Sequence, residues 1–257
     1  MPTVTFSLAA SWQPRDGDLL LLPFADRQKR CFNPADLPRE IGKVEPTEEP
    51  GQTRTVFAGR IGRAFLSARA VRLDAKTSSA AAEMKKAVAA AIAAGRKDQR
   101  KRVVILLGPA GQDLLPAARE GAQLGGYSFD KYLRKKTPPF AVLCVAPAPS
   151  LPLAATLQQE QVLCDCVNAA RDILNEPSAA RPPAVLANLF VRQARAAGIR
   201  TTVWDDRRRA RERCGGILGV GQGASDKPRL VWGEYAPRGA RKHLCLVGKG
   251  VTFDTGG

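Results

Sequence analysis

The residue types that could do chemistry are densest at the end of the chain, in HLCLVGKGVTFDTGG, residues 243–257. An apolar run, 243–247, reads as a strand that delivers Lys249 between two glycines. Asp254 follows five residues later, before two further glycines. Glycines allow unusual backbone angles and let a ligand come close. A lysine at the end of a buried strand is desolvated, so its amine loses a proton more easily. A neutral amine and a hard carboxylate can both bind a divalent cation, and carboxylate sites suit Zn2+, Mn2+ or Mg2+ where histidine is absent. The same spacing also fits a glycine-rich strand exit in which Lys249 and Asp254 form a salt bridge. Spacing alone leaves both readings open.

Other candidates are weaker. Residues 219–224, GVGQGA, match the loose dinucleotide pattern GxGxx(G/A), which needs a helix start behind it. Here SDKP, 225–228, turns straight into an apolar strand, so a structural turn is expected. Four basic runs, 96–102, 131–136, 207–213 and 238–242, could each follow a phosphate backbone. Only Tyr132 is interleaved with them, which is too little for a stacking platform, and a solvated basic surface is the expectation. His243 is the single histidine, which excludes a His-rich zinc site. The six cysteines form no CxxC pair, and Cys164 and Cys166 fall on different faces of any helix. A reduced, cytoplasmic protein is the simplest reading.

These residues need elements to hold them. The chain has 257 residues with 44% apolar and 25% charged content, ordinary globular material. No run approaches the roughly 20 apolar residues that span a bilayer, and the start lacks the pattern of a signal peptide. Strands are expected at 18–24, 64–73, 103–107 and 140–146, and helices at 78–94 and 112–124. Met84, Val88 and Ile92 form the apolar stripe of the first helix, with Glu83, Lys85 and Lys86 facing water. Strands interleaved with helices predict an α/β layer domain. Five prolines between 137 and 152 mark the boundary, and APAPSLP, 146–152, is expected to be neither helix nor central strand. A helix over 154–174 breaks at Asn175-Glu176-Pro177. A further helix, 184–197, carries Leu186, Leu189, Phe190 and Ala194 on one face, and strands follow at 200–204, 229–235 and 243–247.

GKGVTFDTGG, 248–257, resembles the signature of the leucyl (cytosol) aminopeptidase family of two-metal exopeptidases. The likeness extends upstream through NAARDILNEPSAARPPAVLANLF, 168–190, and GGILGVGQGASDKPRLVWGEY, 215–235. It implies an amino-terminal macro-domain-like α/β domain over 1–150, a linker helix over 151–176, and the start of an α/β metallopeptidase catalytic domain over 177–257. In the family two divalent metals, Mn2+ or Zn2+, activate a water against the amino-terminal peptide bond. The lysine of the GKG turn binds one metal and the aspartate of FD(S/T)GG binds both, so the resemblance makes Lys249 and Asp254 metal ligands.

The family's catalytic lysine, its remaining acidic ligands and an arginine that holds bicarbonate would fall beyond Gly257. No catalytic residue is therefore expected within these residues, the chain reads as cut inside the signature, and inactivity alone is the expectation. Peptide substrates, a homo-oligomer (hexameric in the family) and no membrane partner are implied. The alternative is a basic DNA-binding or regulatory protein on the same scaffold, since some members of the family bind DNA. The net charge is +16, of which +9 falls in residues 177–257; this weakens the case for an amino-terminal domain dedicated to DNA. A nucleotide or ADP-ribose ligand of the first domain has only GPAG, 108–111, to support it.

Overall fold

The computed structural model describes residues 4–25, 29–49, 52–73 and 79–253. Two compact units divide the chain, Met1–Ala170 and Arg171–Gly257.

The first unit is built on a six-stranded sheet. Its elements in chain order are β1 (Val4–Ala9), β2 (Asp18–Phe24), β3 (Thr53–Ile61), β4 (Ala64–Arg72), α1 (Ser79–Lys97), β5 (Arg102–Leu106), α2 (Leu115–Gly125), β6 (Phe140–Val145) and all but the last turn of α3 (Leu151–Leu174). The spatial order is β1-β6-β5-β2-β4-β3, parallel throughout except for the antiparallel edge pair β3 and β4. All seven residues of β2 are buried. An unbroken run of leucines is what a central parallel strand needs, because both of its faces are covered. Leu19 and Leu21 join α1 and α2 in one apolar cluster, while Leu20, Leu22 and Phe24 face Ile41, Val44, Leu66 and Ala68 in a second. Pro23 comes after the pairing of β2 with β5 has ended at Leu21, where β2 is laddered on β4. A proline there removes no donor from the β5 ladder.

The stripe read from the sequence is present: Met84, Val88 and Ile92 are fully buried against the sheet. Lys85, expected to face water, instead reaches Glu120 of α2 at 2.5 Å. Asp18 and Arg102 form a two-pronged ion pair at the beginnings of β2 and β5, with N–O distances of 2.7 and 2.5 Å. α3 lies on α2, where Arg119 donates to the Leu157 carbonyl and Gln123 and Gln161 exchange amide hydrogen bonds. Cys164 is buried and Cys166 exposed, as their spacing in a helix requires.

The second unit contains α4 (Pro183–Ala196), β7 (Arg200–Trp204), α5 (Asp206–Arg211), α6 (Gly215–Val220) and β8 (Leu230–Glu234). β7 and β8 pair antiparallel. On α4 the buried side chains are Ala187 and Ala194, while Phe190 of the expected apolar face is exposed.

Two expectations are corrected. Residues 151–152 of the proline-rich stretch belong to α3, because the first turn of a helix has unpaired N–H groups and tolerates proline. Residues 243–247 form no strand. Leu244, Leu246 and Val247 are 85%, 87% and 93% exposed; a strand exists only through its ladder, and this run has no ladder partner among the described residues.

Candidate functional site

The segment that carries the chemistry follows that unpaired run. Residues 241–253 have no regular secondary structure, and Lys249 is exposed. The desolvation expected for its side chain depended on a buried strand ahead of it, and without the strand the side chain stands in water. The backbone passes near α4 at Gly250, where an added β-carbon would lie 3.4 Å from Leu186 Cδ2. Asp254 lies outside the described residues, as do Thr255, Gly256 and Gly257. His243 and Cys245 are exposed. Among the described residues no three His, Cys, Asp or Glu side chains converge as a metal site. Of the two ligands that the resemblance names, Lys249 alone lies among the described residues, and it is exposed.

The chain's own atoms crowd the middle glycine of the second-unit cluster, leaving Gly219 and Gly223 open, and both glycines of the first-unit cluster. At 219–224, a β-carbon on Gly221 would stand 2.4 Å from Pro228 Cγ. Successive turn hydrogen bonds run from Gly221 N to Ile217 O and from Ala224 N to Gly221 O. This is the expected structural turn, and it follows α6 rather than opening a helix. At 108–111, a β-carbon on Gly111 would lie 2.5 Å from the Cys31 carbonyl, and one on Gly108 would lie 3.1 Å from Asn33 N. The Gly108 amide donates to Cys31 O at 2.6 Å. The space a phosphate would need is filled by residues 31–33.

The basic run 207–213 is partly structural. Asp205 caps α5 by accepting from Arg208 N at 3.0 Å. Arg209 is fully buried, donating to the Trp204 carbonyl at 2.7 Å and pairing with Asp206. Arg208 stacks over the Trp204 ring at 4.8 Å. A solvated surface was expected for the whole run; the first helical turn draws Arg209 inward because its fork satisfies a carbonyl and a carboxylate together. A cavity of about 560 Å³ lies along β7, lined by Arg195, Arg200, Thr201, Thr202, Trp232 and Glu234. Its one carboxylate, Glu234, is engaged by Arg200 at 2.9 Å, and Lys249 does not line it.

Comparison with known proteins decides the family. Residues 168–257 match the model of the cytosol aminopeptidase family, catalytic domain, and residues 49–136 match that of the cytosol aminopeptidase family, N-terminal domain. The two matches together take in well over half of the chain, in the order of the family's domains. The chain belongs to the cytosol aminopeptidase family. A probable cytosol aminopeptidase of Desulfotalea psychrophila is 29% identical over 267 residues, an alignment covering 96% of this chain and 53% of that protein. One from Rhodococcus erythropolis is 40% identical over 153 residues, covering 56% of this chain and 30% of its own. The chain thus spans about half the length of the first relative and less of the second.

Among solved structures, a tomato leucine aminopeptidase mutant superposes with a TM-score of 0.67 at 16% identity, covering 90% of this chain and 50% of its own. The bottromycin maturation enzyme BotP, in complex with Mn, gives 0.62 at 23% identity, covering 86% and 45%. At those identities the likeness is one of fold. It agrees with an α/β amino-terminal domain followed by the start of the catalytic domain. What the sequence did not reveal in this region is the burial of Arg209, whose guanidinium is held by the Trp204 carbonyl and by Asp206 three residues before it, a spacing present in the DDRRRAR string.

Proposed function

We propose that the whole protein to which these 257 residues belong is a metal-dependent aminopeptidase of the leucyl aminopeptidase type, releasing amino-terminal residues from peptides. Lys249 and Asp254 are two of its metal ligands, and the ions are two divalent metals, Mn2+ or Zn2+. The observation that carries this reading is GKGVTFDTGG lying inside the stretch that matches the family's catalytic domain. BotP, a fold relative, is described with Mn, which supports divalent metal use.

The same reading divides the chain into an amino-terminal domain over 1–150, a linker helix over 151–176 and the opening of the catalytic domain over 177–257. It places the protein in the cytoplasm as a homo-oligomer acting on peptides; no helix among the described residues is long and apolar enough to cross a membrane. The alternative of a basic DNA-binding or regulatory protein rests on the net charge and on the resemblance, and no comparison supports it.

Lys249 and Asp254 are two ligands, and two ligands do not hold two metals. The 257-residue chain alone is proposed to be inactive. The test is hydrolysis of leucine p-nitroanilide with added Mn2+. No turnover is expected from the purified 257-residue chain, and turnover that chelator abolishes would overturn the claim of inactivity.

A further inference from the structure

Two basic runs far apart in sequence meet at one edge of the first unit. Arg96, near the end of α1, donates to the Gly126 carbonyl at 3.0 Å, just ahead of the segment that contains 131–136. Ala141 N, at the start of β6, donates to Lys101 O at 2.9 Å. Arg100 lies over the Phe65 ring at 5.4 Å, which brings in the turn between β3 and β4. Gly17 N donates to Phe65 O at 2.8 Å, which brings in the start of β2. The amino ends of β2, β5 and β6 and the carboxyl end of α1 therefore present exposed Arg15, Arg63, Lys97, Lys101, Arg134 and Lys135 along one edge.

Asp16, Asp18, Asp98 and Asp130 share this edge, and all but the exposed Asp98 have a partner described here. Asp18 is buried against Arg102, Asp16 accepts from Phe65 N at 2.9 Å, and Asp130 accepts from Thr137 N at 2.5 Å. The dipole of α1 accounts for cations at 96–97, but not for those at 131–136.

The basic segment 131–136 also carries two exposed apolar side chains, the Tyr132 ring lying 6.0 Å from that of Phe129 and 5.4 Å from Lys131 Nζ. Tyr132 and Leu133 are 57% and 59% exposed, set between Lys131 and Arg134. The turn that carries them is held in shape from both sides. The Lys136 ammonium donates to the carbonyls of Asp130 and Lys131 at 2.7 and 2.8 Å, and Leu133 N donates to Asp130 O at 3.0 Å. The hydroxyls of Ser128 and Thr137 are 2.7 Å apart.

From this geometry we infer that the amino-end edge of the parallel sheet, with Tyr132 and Leu133 exposed among its cations, docks reversibly on an anionic lipid surface. A phenol and a leucine flanked by cations fit the boundary between headgroups and acyl chains: the apolar bodies enter and the charges remain at the phosphates. Each basic residue near such a surface adds attraction that salt weakens. A nucleic-acid backbone would engage the same cations but offers Leu133 nothing to enter. The sequence led to the expectation of no membrane partner because it has no spanning segment; a surface assembled by the fold needs none.

The experiment is co-sedimentation of the full 257-residue chain with phosphatidylcholine vesicles, with or without about 30% phosphatidylglycerol, at low and high salt. Binding to the anionic vesicles only, released by salt, is expected. Leu133→Ser with Tyr132→Ser should lower partitioning about tenfold, as should Lys135→Glu with Arg134→Glu, with unchanged circular dichroism. A parallel titration uses a single-stranded oligonucleotide. No binding to anionic vesicles, equal binding to neutral ones, or indifference to the Tyr132 and Leu133 substitutions would overturn the inference. Oligonucleotide binding together with that indifference would assign the edge to nucleic acid instead.

Discussion

Asp18 is the residue on which the centre of the sheet turns. Its carboxylate is buried, receives both prongs of Arg102 and also accepts from Arg15 N at 2.9 Å. Removing one partner of a buried pair leaves the other charge uncompensated, which typically costs about 3 to 5 kcal/mol. Arg102→Ala should therefore lower the urea midpoint of the first unit by a corresponding amount, whereas Arg200→Ala, from an exposed pair with Glu234, should cost under about 1 kcal/mol. The buried thiols give a prediction in pH. Burial pushes Cys144 up to about 12 and Cys164 up to about 11, the latter with help from Glu120 and Glu160, against an ordinary thiol value of 9.0. Below pH 9 both the folded and the unfolded chain keep these protons. Above it the unfolded chain releases them while the folded chain holds them, so stability must fall as pH rises through this window. Melting temperatures measured from pH 8 to 10.5 should decline, less so in Cys144→Ala; at pH 8 a thiol reagent should modify Cys166 and Cys245 and spare the buried pair.

At the scale of elements, the strands and helices with a continuous apolar signal were legible. β2 occupies 18–24 as read from its leucine run, and the stripe of α1 was visible because its spacing of four is the helix repeat. β1 and β3 were not, because edge strands carry fewer apolar residues: most of β3 is exposed or half-buried. Pairing in the sheet defines such strands, and pairing is not written in local sequence. The reverse error occurred at 243–247, where strand-like composition did not produce a strand. The candidate site was legible only as a motif. GKGVTFDTGG names ligand types, but convergence of ligands depends on neighbouring elements, and Lys249 stands exposed. Amide hydrogen exchange tests this difference directly. The amides of β2 and β5, buried and laddered on both sides, should exchange at rates set by unfolding of the first unit. Those of residues 244–249 should exchange within about the time of an unprotected chain. Strong protection at 244–249 would show a ladder that the structure does not contain.

Across the whole molecule, the two units differ in how much they bury. Both apolar clusters belong to Met1–Ala170. In Arg171–Gly257 the buried side chains among the described residues are Ala187, Ala194 and Arg209, while Phe190, Trp232, Tyr235 and Leu244 are exposed. Two alanines contribute little: burying a large side chain stabilises by roughly 1.5 to 3 kcal/mol, and an alanine offers one methyl group. Stability should therefore be concentrated in the first unit, and unfolding should not be two-state. The three tryptophans separate the units as reporters, since Trp12 packs on the second apolar cluster of the first unit whereas Trp204 and Trp232 lie in β7 and β8. In Trp12→Phe, fluorescence follows the second unit alone; in Trp204→Phe with Trp232→Phe it follows the first. The urea midpoint of the former should lie well below that of the latter, with the smaller slope expected where less surface is exposed on unfolding. Coincident midpoints and slopes would mean that residues 171–257 share the cooperativity of the sheet, a coupling that their own burial does not supply.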